Sequence, residues 1–140
     1  MRYDEDLYQW TIDQGRALRD RATNALDYDN LAEEIESLGR SDKREIESRL
    51  ENLLVHLLKW RYHPEWRSPS WEASIDEARR RIARVIKDSP SLRSHPGEVL
   101  SEAYRYAIHN KAVRALELSR LPEACPWSID DVLSEAFLPK

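Results

Sequence analysis

Residues 42–62, DKREIESRLENLLVHLLKWRY, decide the fold class. At about 100° per residue, Ile46, Leu50, Leu53, Leu54 and Leu57 line one helical stripe, while Val55 and Leu58 add apolar surface elsewhere on the circumference. A helix that is apolar around most of its second half belongs at the centre of a bundle. The remaining side carries Glu45, Arg49, Asn52, His56, Lys59 and His63, a polar row within a sector about 80° wide. That row is the first candidate for function.

Pro64 closes this helix, because proline lacks an amide donor and disfavours helical geometry in the residue before it. Ser68 and Pro69 then read as an N-cap and first helical position, so HPEWRSPS is a tight corner between two helices. From Trp71 to Ile86 one apolar face holds Trp71, Ile75, Ala78, Ile82, Val85 and Ile86. A further helix is expected from about Pro96 to Leu118, with a bend or break after His109 and Asn110. A short terminal helix capped by Ser128 would dock Trp127, Val132, Leu133 and Phe137 on the bundle.

Toward the N-terminus, Asp4, Glu5 and Asp6 open a helix over about residues 4–23, with Leu7, Trp10, Ala17 and Leu18 near one face. Asp27 or Asp29 caps a short helix, NLAEEIESL, whose buried side is Leu31, Ile35 and Leu38. Gly39 is expected to stop that helix in a left-handed conformation, and Ser41 to cap the next. No stretch alternates with the period of a strand. The expectation is therefore an all-α, single-domain bundle over residues 1–140, of about five main helices plus a short C-terminal one.

Composition agrees with this. Apolar residues make up 41% and charged residues 34% of 140, with only three glycines. The longest apolar stretch, LLVHLLKW, is far short of the roughly 18 residues that span a bilayer, and the acidic start MRYDEDLYQW has no apolar leader. A single cysteine, Cys125, fits a reducing compartment, so a cytoplasmic location with no membrane association is expected. The net charge of -4 is uneven: residues 1–51 carry 8 Lys+Arg against 14 Asp+Glu, residues 59–93 carry 9 against 5, and residues 94–140 carry 5 against 7.

The basic middle segment is the one nucleic-acid signal, with Trp60, Trp66 and Trp71 as stacking candidates. Glu77 precedes Arg81, and Asp76 precedes Arg80, by the four residues that pair well on a helix, so a partly neutralised solvated face is the favoured reading. Arg79 flanks the apolar stripe and can lay its stem over it. Nucleic acid is accordingly disfavoured. Only Trp66 of the three tryptophans falls outside the packed stripes, which makes Trp66 and Arg67 a candidate protein interface.

A metal centre finds little support. No Glu stands three residues before any histidine, and His56 and His63 are about 10 Å apart along a helix. A site would need Glu34 or Glu36 with His56 and His109 from separate helices; a salt-bridge network between Glu34, Glu36 and the row Arg49, His56 and Lys59 is the favoured alternative. No metal and no cofactor is assigned. Cys125 precedes a helix start, but small buried packing is commoner there than a reactive thiol, and three glycines at 15, 39 and 97 allow no phosphate loop.

Taken together, NLAEEIESLGRSDKREIESRLENLLVHLLKW, RSPSWEASIDEARRRI, DSPSL and CPWSIDDVLSEAFLP resemble, in that order, the bacterial family of unknown function DUF29. The resemblance implies a helical bundle and a bacterial origin and supplies no catalytic residues. Three functions follow for testing. The leading one is a non-catalytic module that binds a protein partner or itself; the others are a metal-binding or hydrolytic bundle using Glu34, Glu36 and His56, and a nucleic-acid binder using residues 59–93.

Overall fold

The computed structural model describes residues 2–115 and 121–140. Among them every regular element is helical: α1 (Leu7–Arg19), α2 (Tyr28–Tyr62), α3 (Pro69–Asp88), α4 (His95–Ile108), α5 (Lys111–Arg114) and α6 (Ile129–Leu133), with 3₁₀ turns at Thr23–Ala25, Pro64–Trp66 and Pro90–Leu92. The all-α expectation holds. Among the described residues no helix is long and apolar enough to cross a membrane. The chain divides into two compact units, Met1–Ser41 and Asp42–Lys140, and the boundary falls within α2.

α2 departs from the sequence expectation. Two helices separated at Gly39 were expected, whereas one helix of 35 residues runs through it. No glycine in the described chain has a positive φ, so Gly39 does not act as a left-handed terminator. Without a proline or that conformation nothing breaks the hydrogen-bond ladder, and a helical glycine costs only about 1 kcal/mol relative to alanine. An ion pair from Arg40 Nη2 to Glu33 Oε1, 2.6 Å across two turns, lies along the same exposed face.

The first unit is an antiparallel pair formed by α1 and the start of α2. Asp6 caps α1 by accepting from the Gln9 amide at 3.0 Å. The helix ends with the Ala22 amide bonded to Ala17 O and the Arg21 amide to Leu18 O, with Arg21 at φ 54°. This is the pairing of a Schellman turn, but with arginine where glycine is usual. The Trp10 indole N–H donates to Asp27 Oδ2 at 2.9 Å, Asn30 Nδ2 donates to the same oxygen, and Gln14 bonds Ala25 O and the Asp27 amide. These bonds hold the Asp27 carboxyl below the usual carboxylate range, Asn30 contributing most and Trp10 next.

Burial in this unit is sparse. Trp10 and Ala17 are its buried apolar residues, whereas Leu7, Tyr8, Ile12, Leu18, Tyr28, Ile35 and Leu38 are all exposed. The expected buried side Leu31, Ile35, Leu38 is thus corrected: Ile35 is 67% and Leu38 69% exposed. Leu7 and Leu18, expected beside Trp10 and Ala17, are also out in solvent. A 3.6-residue stripe signals a face that packs on something, and within this unit little is available to pack on it.

The second unit contains the main core. Leu50, Leu53, Leu54, Leu57 and Leu58 of α2 pack with Ile75, Ala78 and Ile82 of α3, Ala103, Tyr104 and Ala107 of α4, Val113 of α5 and Val132 of α6. The expected stripe of 42–62 is buried throughout, and Val55 with it; of the 71–86 stripe Ile75, Ala78 and Ile82 are buried, whereas Trp71, Val85 and Ile86 are half-buried. Ser68 Oγ accepts from the Trp71 amide at 3.2 Å, as its capping role requires. The break after His109 is present: α4 ends at Ile108, and Asn110 Oδ1 caps α5 by accepting from Ala112 N at 2.8 Å. The expected continuation to Leu118, with Leu116, lies outside the described residues.

The C-terminal segment is held by side chains from the helices. Arg79 is 4% exposed; its Nε donates to Val132 O at 2.9 Å and its Nη2 to Phe137 O at 2.7 Å. Laying a stem over the stripe was the sequence reading; instead the guanidinium goes inside and binds the tail. Burial pulls its pKa downward while Asp76 and Glu135 oppose the shift, and the group stays charged. Tyr104 donates to Pro122 O at 2.6 Å, Ser128 Oγ caps α6, and Trp127 meets Phe137 edge-on at 6.2 Å.

Two outcomes test this description by thermal denaturation. Gly39→Ala should stabilise by about 0.5–1 kcal/mol, because the residue is helical and a Cβ there meets no atom within 4 Å; destabilisation would indicate a left-handed Gly39. Arg79→Met should cost about 2–4 kcal/mol by leaving two carbonyls of the tail unpaired, and Arg79→Lys should not restore it, since an ammonium lacks the planar fork.

Candidate functional site

The polar row lies on the second half of α2, but its members enter different surroundings. Arg49 Nε is 3.5 Å from Glu45 Oε1, one turn away. Arg49, Glu51 and Asn52 line one side of a groove of about 260 Å³, and Tyr106 and Asn110 line the other. Burial, with Glu47 nearby, pushes the Glu51 carboxyl upward. His56 is one turn further on. Its Nδ1 donates to Asn52 O at 2.9 Å, which fixes the proton on that nitrogen because a carbonyl can only accept.

Lys59 turns toward α3, with Nζ 5.5 Å from the centre of the Trp71 ring, and burial lowers its pKa. His63 stacks at a tilt on Trp66, centroids 4.5 Å apart. Its Nδ1 has no hydrogen-bond partner, the nearest acid being Glu65 Oε2 at 3.6 Å. The row therefore does not converge on one cavity: Arg49 and Asn52 face a groove toward α4, Lys59 covers an indole, and His63 belongs to the corner.

Glu34 and Glu36 were expected to meet this row from a neighbouring helix. Because α2 is continuous, both stand on the same helix as His56. Glu34 accepts a hydrogen bond from the Tyr3 hydroxyl, and Glu36 is exposed. A hydrogen-bonded histidine–carboxylate pair forms elsewhere, from His95 Nε2 to Glu47 Oε2 at 2.8 Å, joining the start of α4 to α2. Forty-eight residues separate the two, so no local spacing announces it. Among the described residues no three His, Cys, Asp or Glu side chains are grouped so as to hold a metal ion.

The basic segment is largely occupied. Glu77 pairs with both Arg80 and Arg81, the latter at 2.8 Å, and these bonds, Arg81 first, lower the Glu77 carboxyl. Arg79 is inside the tail contact. Arg67 lies 5.0 Å over the Trp60 ring, donates from Nε to Trp60 O at 2.8 Å and reaches Pro139 O at 3.4 Å. Of the proposed interface pair, then, Arg67 is engaged by the corner and the tail, while Trp66 is 61% exposed. Cys125 is half-buried with Sγ 3.4 Å from Trp127 O, and burial pushes its thiol pKa up, away from a reactive thiolate.

His56 gives a pH test with a defined sign. Burial is the largest influence and lowers its pKa; the bond to Asn52 opposes this and Lys59 adds to it. The unfolded chain, with an ordinary value near 6.5, takes up the proton first. Stability is then full above about pH 6.5 and falls as pH descends through that value toward the lower folded one. His56→Gln should flatten the change in Tm between about pH 7.5 and 5 relative to the parent protein; an unaltered slope would place the imidazole in open water.

Comparisons with curated proteins and with solved structures give no match. The family model described as "Domain of unknown function DUF29" matches residues 2–138. With nearly the whole chain covered, from the N-terminal hairpin to the tail clasped by Arg79, this protein belongs to the DUF29 family.

Proposed function

We propose that this chain works as a non-catalytic protein-interaction module. One observation supports this above the rest: Leu7, Tyr8, Ile12, Leu18, Tyr28, Ile35 and Leu38, all between 41% and 74% exposed, fall within a single unit of 41 residues. Scattered exposed apolar residues are ordinary, but seven gathered in so small a unit point to contact surfaces. A hairpin this small, with two buried apolar residues, also gains stability from whatever covers it. On the other unit Trp66 is a further exposed ring. The basic segment supports the same reading, since Arg67, Arg79, Arg80 and Arg81 already have protein partners and are poorly placed to neutralise phosphates.

A photo-cross-linking amino acid at Tyr8 or Leu38, introduced into the full chain in its own host, should yield protein adducts. The same group at Arg84, exposed on α3, should yield far fewer. Equal yields at all three positions, or adducts only to nucleic acid, would overturn the reading.

A further inference from the structure

Among the exposed apolar residues, those of α1 have a pattern that selects their own partner. At helical spacing Leu7, Tyr8, Thr11, Ile12, Gly15 and Leu18 share one broad side of α1, turned away from the buried Trp10 and Ala17. The two ends of the helix carry opposite charge. Residues 2–6 hold Asp4, Glu5 and Asp6 against Arg2, and residues 16–21 hold Arg16, Arg19 and Arg21 against Asp20. One end is thus net -2 and the other net +2.

We propose that a second copy of this chain docks on this side of α1, antiparallel and about a two-fold axis. Rotation about that axis sets each acidic end against a basic end. In the register where Leu7 meets the partner's Leu18, Asp4 faces the partner's Arg21, and the small residues Thr11 and Gly15 come together near the centre. No atom lies within 4 Å of where a Cβ on Gly15 would stand, so a neighbouring helix can approach closely there. A parallel pair would instead set like charges together at both ends. Arg21 adds a second reason: it keeps a left-handed φ of 54° that glycine would adopt at lower cost, and so places a cation at the end of the pair.

The inference rests on reading the exposed residues of the first unit as a contact surface, and it names the occupant. A helix of 13 residues is about 20 Å long, and one such pair buries less than the roughly 800 Å² per partner of a standard interface. The dimer is therefore weak and depends on concentration.

Sedimentation velocity of the full chain over a concentration series tests this. The parent protein should shift from monomer to dimer as concentration rises. Leu18→Glu should raise the dissociation constant at least tenfold, and Ile35→Glu, on α2, should leave it within about threefold. Arg21→Asp, a residue that tolerates positive φ, should weaken the dimer, and Asp4→Arg added to it should restore association. Circular dichroism confirms that each variant keeps its helix content. A chain monomeric throughout, a dimer broken by Ile35→Glu in place of Leu18→Glu, or a double reversal without rescue would each overturn the proposal. Cross-links from Tyr8 to a different protein, with the chain itself monomeric, would sink self-pairing while leaving the interaction reading intact.

Discussion

The buried guanidinium of Arg79 is the constraint on which the second unit depends. A charged group inside a helical core is costly unless its donors are used; here Nε and Nη2 donate to Val132 O and Phe137 O, while Nη1 is buried without a partner. α6, at five residues, is too short to persist by its own hydrogen bonds. It exists because Ser128 caps it, Val132 inserts into the core and Arg79 binds the carbonyls beyond it. Arg67, reaching Pro139 O from the corner after α2, continues the same device. In this unit backbone oxygens of an irregular tail are satisfied by Arg79 on α3 and Arg67 in the corner before it, which lets a segment with little secondary structure pack beside Tyr104 and the leucines of α2.

The same residue type shows why charge counts on a sequence mislead. The run EARRRIAR reads as a basic face, yet each of its first three arginines is already occupied: Arg79 is interior, while Arg80 and Arg81 share Glu77. Local spacing predicts the Glu77–Arg81 pair because both ends lie on one helix. It cannot predict Arg79, whose partners are more than fifty residues away and are carbonyls, which carry no sequence signature. His95 and Glu47 escape notice for the same reason.

Core and corner were legible for related physical reasons. The stripe from Ile46 to Leu57, the proline stop at Pro64, the Ser68 cap and the interruption near Asn110 are all local patterns, and each is present. Gly39 was misread because glycine is a terminator only when the chain after it turns, and nothing downstream forces a turn. Ile35 and Leu38 were misread in a different manner: periodicity shows that a face is apolar, and does not show what covers it. The polar row was likewise visible as a row, but its division among a groove, an indole and the corner depends on α3 and α4, which the pattern of α2 does not encode.

The position of Arg79's acceptors bears on how the chain is made. Synthesis runs from the N-terminus, and domains complete folding as their last elements emerge. α2 and α3 leave the ribosome with the arginine in place but its acceptors at Val132 and Phe137 not yet made, so the nascent α2–α3 pair carries a charge that favours water over the core. Closing of the second unit is thereby deferred until Val132 and Phe137 have been made, and a chain truncated before Val132 would retain that unmet charge at its centre.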